Sequence, residues 1–206
     1  MIAEKGHAPS LEELAAAEGT VIEDVKSSLE RLHKAHALLL HPHRCEPWAV
    51  HPFALSAGAC WVETAERGYW ANCLYCGLGI VAALGRDGRI TTRFGGESRT
   101  AVFRVESGKL LDADGVFHLA VPVRHWWDNV IHACASFQPF ASEAEVDPWC
   151  QRHALPRGHV MTLEALWQFA LDWYGNYLEL PWRKRTAADA RELFGRHGLT
   201  SDFWSI

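Results

Sequence analysis

Apolar positions near the N-terminus recur at helical spacing. After Ala8-Pro9, Ser10 stands as an N-cap with Glu13 three residues on, and Leu11, Leu14 and Ala15 follow on one face, which predicts a short helix ending near Gly19. Thr20 opens a second helix, in which Val21, Val25, Leu29 and Leu32 form a stripe that continues into Ala35 and Leu38. The two, joined at Glu18-Gly19-Thr20, predict a helix-turn-helix, with Leu38-Leu39-Leu40 opening a small wing. Over residues 41–53, three prolines and three histidines break any period, so an irregular connector and a domain boundary are expected there.

Beyond it, residues 60–64 read as a strand and 69–84 as a buried helix closed by Gly85-Arg86-Asp87-Gly88. Strand signals at 90–94, 100–105 and 116–121, separated by Gly-rich turns, predict an antiparallel sheet. Residues after Asn129 read as an extended segment containing Cys134, followed by a turn and a helix over 143–153. From Thr162 the pattern is helical again. Leu163, Leu166, Trp167, Ala170, Leu171 and Tyr174 share one face, Gly175-Asn176 stops it, and 187–197 makes a last helix. The expected class is α+β: a small winged-helix-like helical domain (8–52), an antiparallel β-sheet core with flanking helices (53–155) and a C-terminal helical extension (156–206).

Composition narrows the function. A chain of 206 residues, 49 % of them hydrophobic, can bury one good core, or one core with a small satellite. A net charge of -5 offers no general attraction to phosphate backbones or anionic lipid. The outward positions of the second helix, Glu23, Asp24, Ser27 and Glu30, are acidic or neutral, which argues against a recognition helix in a major groove. Apolar runs such as 78–84 fall far short of the roughly 20 residues that span a bilayer. The opening residues show no basic stretch followed by an apolar one, so a cytoplasmic protein without a membrane anchor is expected.

Six cysteines in a chain of this length do not make a disulfide scaffold, and a reducing compartment would keep them as thiols. Cys73 and Cys76 stand at C-x-x-C spacing at the start of a helix, where the positive helix end lowers a thiol's pKa. Such a pair serves redox chemistry, half of a structural zinc site or a soft-metal clamp. No second pair at similar spacing supports zinc, and Leu74-Tyr75 between the thiols gives no support to a redox motif. His41, His43, Cys45 and His51 are possible metal ligands, but their Pro-interrupted spacing fits no zinc motif, and an ordered linker is the favoured reading. Cys45, Cys60 and Cys150 read as packing thiols. The tryptophans, Trp61, Trp70 and Trp126-Trp127 among them, read mostly as core that would keep a site dry.

Two stretches taken together resemble the organomercurial (alkylmercury) lyase family. They are Cys73-Leu74-Tyr75-Cys76, and Cys134 ahead of Phe137-Gln138-Pro139-Phe140-Ala141-Ser142 and the acidic helix to Trp149. The resemblance covers roughly residues 10–153, the N-terminal helices and wing included, and the tail from Thr162 inherits nothing from it. It implies an enzyme of mercury detoxification that cleaves carbon-mercury bonds by protonolysis and leaves Hg(II) on sulfur. No cofactor is implied, and small thiols or a mercuric reductase would accept the metal. Cys73 and Cys134 match the family's two catalytic cysteines. The position of its proton-shuttling aspartate is held by Cys76, as proton donor or third metal ligand. Thiolate is the soft donor Hg(II) favours, and two such donors labilise the carbon-mercury bond. A third would also hold the product. Asp128, His125 and His132 are further candidate acids near Cys134. A second reading is therefore a binding protein that holds mercury, copper or zinc on the same three thiols without turnover. A third is a metal-responsive regulator that uses the helix-turn-helix.

Overall fold

The computed structural model describes residues 1–111 and 113–206. A first short turn, α1 (Ile2–Lys5), is followed by α2 (Leu11–Glu18), which starts at the expected capping box between Ser10 and Glu13. Then comes α3 (Ile22–Lys34), whose Val25 and Leu29 are buried against Ala15 and Leu38. Glu23, Asp24, Ser27 and Glu30 face solvent, so the outer face of α3 is acidic.

The wing forms, and the segment after it is more regular than the sequence suggested. β1 (Leu39–Leu40) pairs with β2 (Pro47–Val50), and β2 with β3 (Phe53–Ala54). The expected irregular connector thus holds two strands. Pro47 opens its strand at Leu40, and Pro52 occupies the turn between Val50 and Phe53, so neither proline removes an interior ladder donor.

β4 (Cys60–Glu63) and β5 (Gly68–Ala71) make the next hairpin. The helix expected from residue 69 begins only at Leu74. Tyr69 and Ala71 are buried while Trp70 is exposed, an alternation of period two that the apolar run concealed. α4 (Leu74–Leu84) then crosses the sheet with residues 74–83 all buried. β6 (Gly88–Arg93), β7 (Thr100–Glu106) and β8 (Lys109–Leu111) complete an eight-stranded antiparallel sheet of order β1-β2-β3-β5-β4-β6-β7-β8.

A second, three-stranded sheet centres on β9 (Val116–Leu119). The segment after Asn129 is not extended: Asn129 caps a short helix, α5 (Val130–Ala135), and Cys134 lies in its last turn. The strand follows as β10 (Phe137–Phe140), then α6 (Val146–His153). β11 (His159–Thr162) pairs with the other edge of β9, and Thr162 caps α7 (Leu163–Tyr174). α8 (Ala187–Arg196) packs Leu193 and Phe194 beneath Trp204. Strand pairing continues across residue 52 in the large sheet and across residue 155 in the small one.

The main core lies between these layers. α4 rests on β4, β5 and β6 on one side and on α7 on the other, with Leu78, Ile80, Leu163, Leu166 and Phe169 almost wholly buried. No helix among the described residues is long and apolar enough to cross a membrane.

Candidate active site

The site forms where the N-terminus of α4, the end of α5 and the β2–β3 turn converge. Cys73 is the N-cap of α4 in extended conformation (φ -155°, ψ 175°), and its carbonyl accepts the first-turn bond from Gly77 N–H at 2.9 Å. Three residues on, one helical turn returns Cys76 to the same face, which brings the two Sγ atoms to 3.6 Å. Cys134 reaches them from α5 and lies 4.0 Å from His51 Nε2. The donor atoms of His51, Cys76 and Cys134 all lie within 4.8 Å of one another. The three thiols expected to act together are therefore together, and buried, at 2 %, 1 % and 7 % exposure for Cys73, Cys76 and Cys134.

The three sulfurs differ in how readily they ionise. Burial opposes ionisation of Cys73, but the thiols of Cys134 and Cys76, the Cys76 backbone amide and nearby His51 outweigh it and hold Cys73 well below the ordinary thiol range. Cys76 is pushed well up by its thiol contacts with Cys134 and Cys73 and by burial. Cys134 is pushed up chiefly by its contact with Cys73. Two like charges at this separation in a dry site repel strongly, so a single thiolate flanked by two thiols is the favoured state.

These thiols line a cavity of about 140 Å³ that is mainly aromatic, with Tyr75, Trp126, Trp127, Phe137, Trp173, Tyr174, Tyr177 and Trp182 in its walls. The indole of Trp127 stacks on His36 at 4.7 Å and 4°, and Tyr75 stacks on Phe169 at 5.3 Å. Its charged lining residues are Lys184 and Arg185, and among the described residues no carboxylate lines it. The acids expected near Cys134 are elsewhere. His125 and Asp128 are exposed and hydrogen-bond each other at 2.7 Å, and His132 faces solvent.

A family model described as alkylmercury lyase matches residues 53–175. The chain belongs to the alkylmercury lyase family. A solved structure described as the mercury-bound form of MerB2 superimposes with a TM-score of 0.65 at 19 % identity, over 85 % of this chain and 83 % of that one. That likeness is one of fold. No curated protein matches the sequence. The family match runs on to Gly175, so β11 and α7 lie inside the shared core, which corrects the expectation that the tail from Thr162 stands apart from it.

In this alkylmercury lyase family member the remaining thiols stay outside the cavity. Cys60 is buried on β4, Cys150 sits 3.6 Å from His118 Nε2, and Cys45 packs by α3. All six cysteines are free. The residues that sequence reasoning passed over are His51, weighed only beside its Pro-interrupted neighbours, and the aromatic wall from α7 and the segment after it. For the wall, the signal was Trp173-Tyr174 beside Tyr177 and Trp182, an aromatic run at the end of an amphipathic helix. His51 gave none, because its partners are 25 and 83 residues away in sequence.

Proposed function

We propose that this chain cleaves the carbon-mercury bond of organomercurials by protonolysis. The observation that carries this reading is the convergence of three buried thiols, Cys73, Cys76 and Cys134, at the base of an aromatic cavity that no carboxylate lines among the described residues. The Cys73 thiolate displaces the small ligand X⁻ from R-Hg-X and forms R-Hg-S. Cys134 then brings its sulfur to mercury, which raises electron density on the metal and weakens the carbon-mercury bond. Cys76 passes its proton to the leaving carbon and receives that of Cys134, so R-H departs, mercury remains on Cys73 and Cys134, and Cys76 is again a thiol. Delivery of a proton to carbon needs a positioned donor, and with no carboxylate in the cavity wall among the described residues the Cys76 thiol takes that part. The aromatic walls exclude water and suit an apolar organic group. Hg(II) is the bound product, small thiols or a mercuric reductase carry it away, and the protein supplies no further cofactor.

Reduced protein incubated with phenylmercury and excess small thiol is expected to release benzene well above the thiol-only background, and Cys73→Ser to reduce release to that background. Benzene at background from the intact chain rejects the enzyme. Tight uptake of one mercury per chain in that event supports the second reading, a soft-metal thiolate-binding protein, which Cys76 as a third sulfur 3.6 Å from Cys73 favours.

A further inference from the structure

His51 lines this cavity, and protonolysis does not use it. It sits in the turn between paired strands β2 and β3, where the Val50–Phe53 pairing fixes the backbone on either side. Residue 51 precedes the segment matched by the family, so nothing assigned to that segment accounts for it. Its Nε2 points at Cys134 Sγ from 4.0 Å, while its Nδ1 is buried with no hydrogen-bond partner, and the edge of Trp127 covers the ring at 6.0 Å.

With Cys73, Cys76 and Cys134, His51 makes a set of three sulfurs and one nitrogen. A tetrahedral ion with metal-sulfur bonds of about 2.3 Å and a metal-nitrogen bond of about 2.0 Å holds its sulfurs roughly 3.8 Å apart and the nitrogen roughly 3.5 Å from each sulfur. The observed separations are 3.6 Å for Cys73–Cys76 and 4.0 Å for His51–Cys134, and no pair among His51, Cys76 and Cys134 exceeds 4.8 Å. Cys73 does not lie within 4.8 Å of all three other donors, so its side chain closes toward them when an ion binds. All four side chains come from elements anchored in the core or the large sheet, and three of the donors, His51, Cys76 and Cys134, stand together before any ion arrives.

We propose that His51, Cys73, Cys76 and Cys134 form a four-donor site for a thiophilic divalent cation of tetrahedral preference, the class of zinc(II) and cadmium(II). Such an ion uses the same thiols as the organomercurial and excludes it from the cavity, so occupancy inhibits cleavage. Mercury, which is content with two or three sulfurs, displaces that ion. The site does not require turnover, so cation binding and benzene release can fail separately.

Cobalt(II) chloride, titrated into the reduced, metal-free protein, is the probe. The expected result is uptake of one cobalt per chain with the intense visible bands of a tetrahedral thiolate-rich site. In His51→Ala, affinity falls by more than the 10–100-fold that a change outside the ligand shell itself costs. Added imidazole restores the bands in that variant. Failure to bind one cobalt, or the same spectrum and affinity in His51→Ala, overturns the proposal. X-ray absorption of the zinc-loaded unaltered chain decides the matter without any variant: one nitrogen and three sulfur scatterers support the site, and an all-sulfur shell overturns it.

Discussion

At the scale of the residue, the central asymmetry is between Cys73 and the five other thiols. Cys45, Cys60, Cys76, Cys134 and Cys150 are all pushed above the ordinary thiol value, whereas Cys73 is held well below it. As pH rises from acid, Cys73 is therefore the first of the thiols to ionise. The ultraviolet thiolate absorbance of the folded protein is expected to show one ionisation below the ordinary value of about 8.5, with the others above it. Cys73→Ala removes that first step. A native protein with no thiolate at neutral pH would show that burial wins over the neighbouring thiols. The sequence could place Cys73 and Cys76 together, since three residues on a helix is one turn. It could not say which would ionise, because that depends on Cys134.

At the scale of the element, α4 combines an N-terminus that presents two cysteines with a body that has no polar face. Its residues 74–83 are buried because the sheet covers one side and α7 the other. Gly79 permits the second contact. A methyl group there would lie 2.6 Å from the Tyr174 ring and 3.0 Å from Pro52 Cβ. Gly79→Ala gains about 1 kcal/mol of helix propensity but incurs about 1–3 kcal/mol of overpacking. The expected outcome is a net loss of about 1 kcal/mol in urea unfolding together with slower benzene release, since Tyr174 is a wall of the cavity. Unchanged stability and rate would mean that α7 yields without effort. The α5 segment carries the opposite lesson. Its apolar run was legible, but six residues are too few for periodicity to separate a short helix from a strand, and the Asn129 cap decided it.

At the scale of the whole molecule, the cavity draws on three stretches of chain: the wing region with His36 and His51, the core with the cysteines, and the end of α7 with Trp173 to Arg185. Arg185 ties the last of these down, donating to the carbonyls of Asp172 and Trp173 at 2.9 and 3.0 Å. A chain ended at residue 155 is expected to lose cooperative unfolding, because it bares the face of α4 that packs on α7, where Tyr75 stacks on Phe169, and leaves one edge of β9 unpaired. Thermal unfolding followed by near-ultraviolet circular dichroism checks this, and a sharp transition in the shortened chain would show that α7 only docks.

Local signals in the sequence were sufficient for much of this protein. The capping box at Ser10, the stripe of α3, the alternation of β7 and the two-cysteine turn at Cys73 are each set within a few residues, where propensity and period act directly. The resemblance carried by Cys73 and Cys134 reached the family. Only the tertiary structure decided that Cys134 meets the pair from a helix, that the wing strands join the large sheet, and that His51 and the tail's aromatics close the site. Those contacts join residues tens of positions apart, and burial between layers, which no local period encodes, is what brings them together.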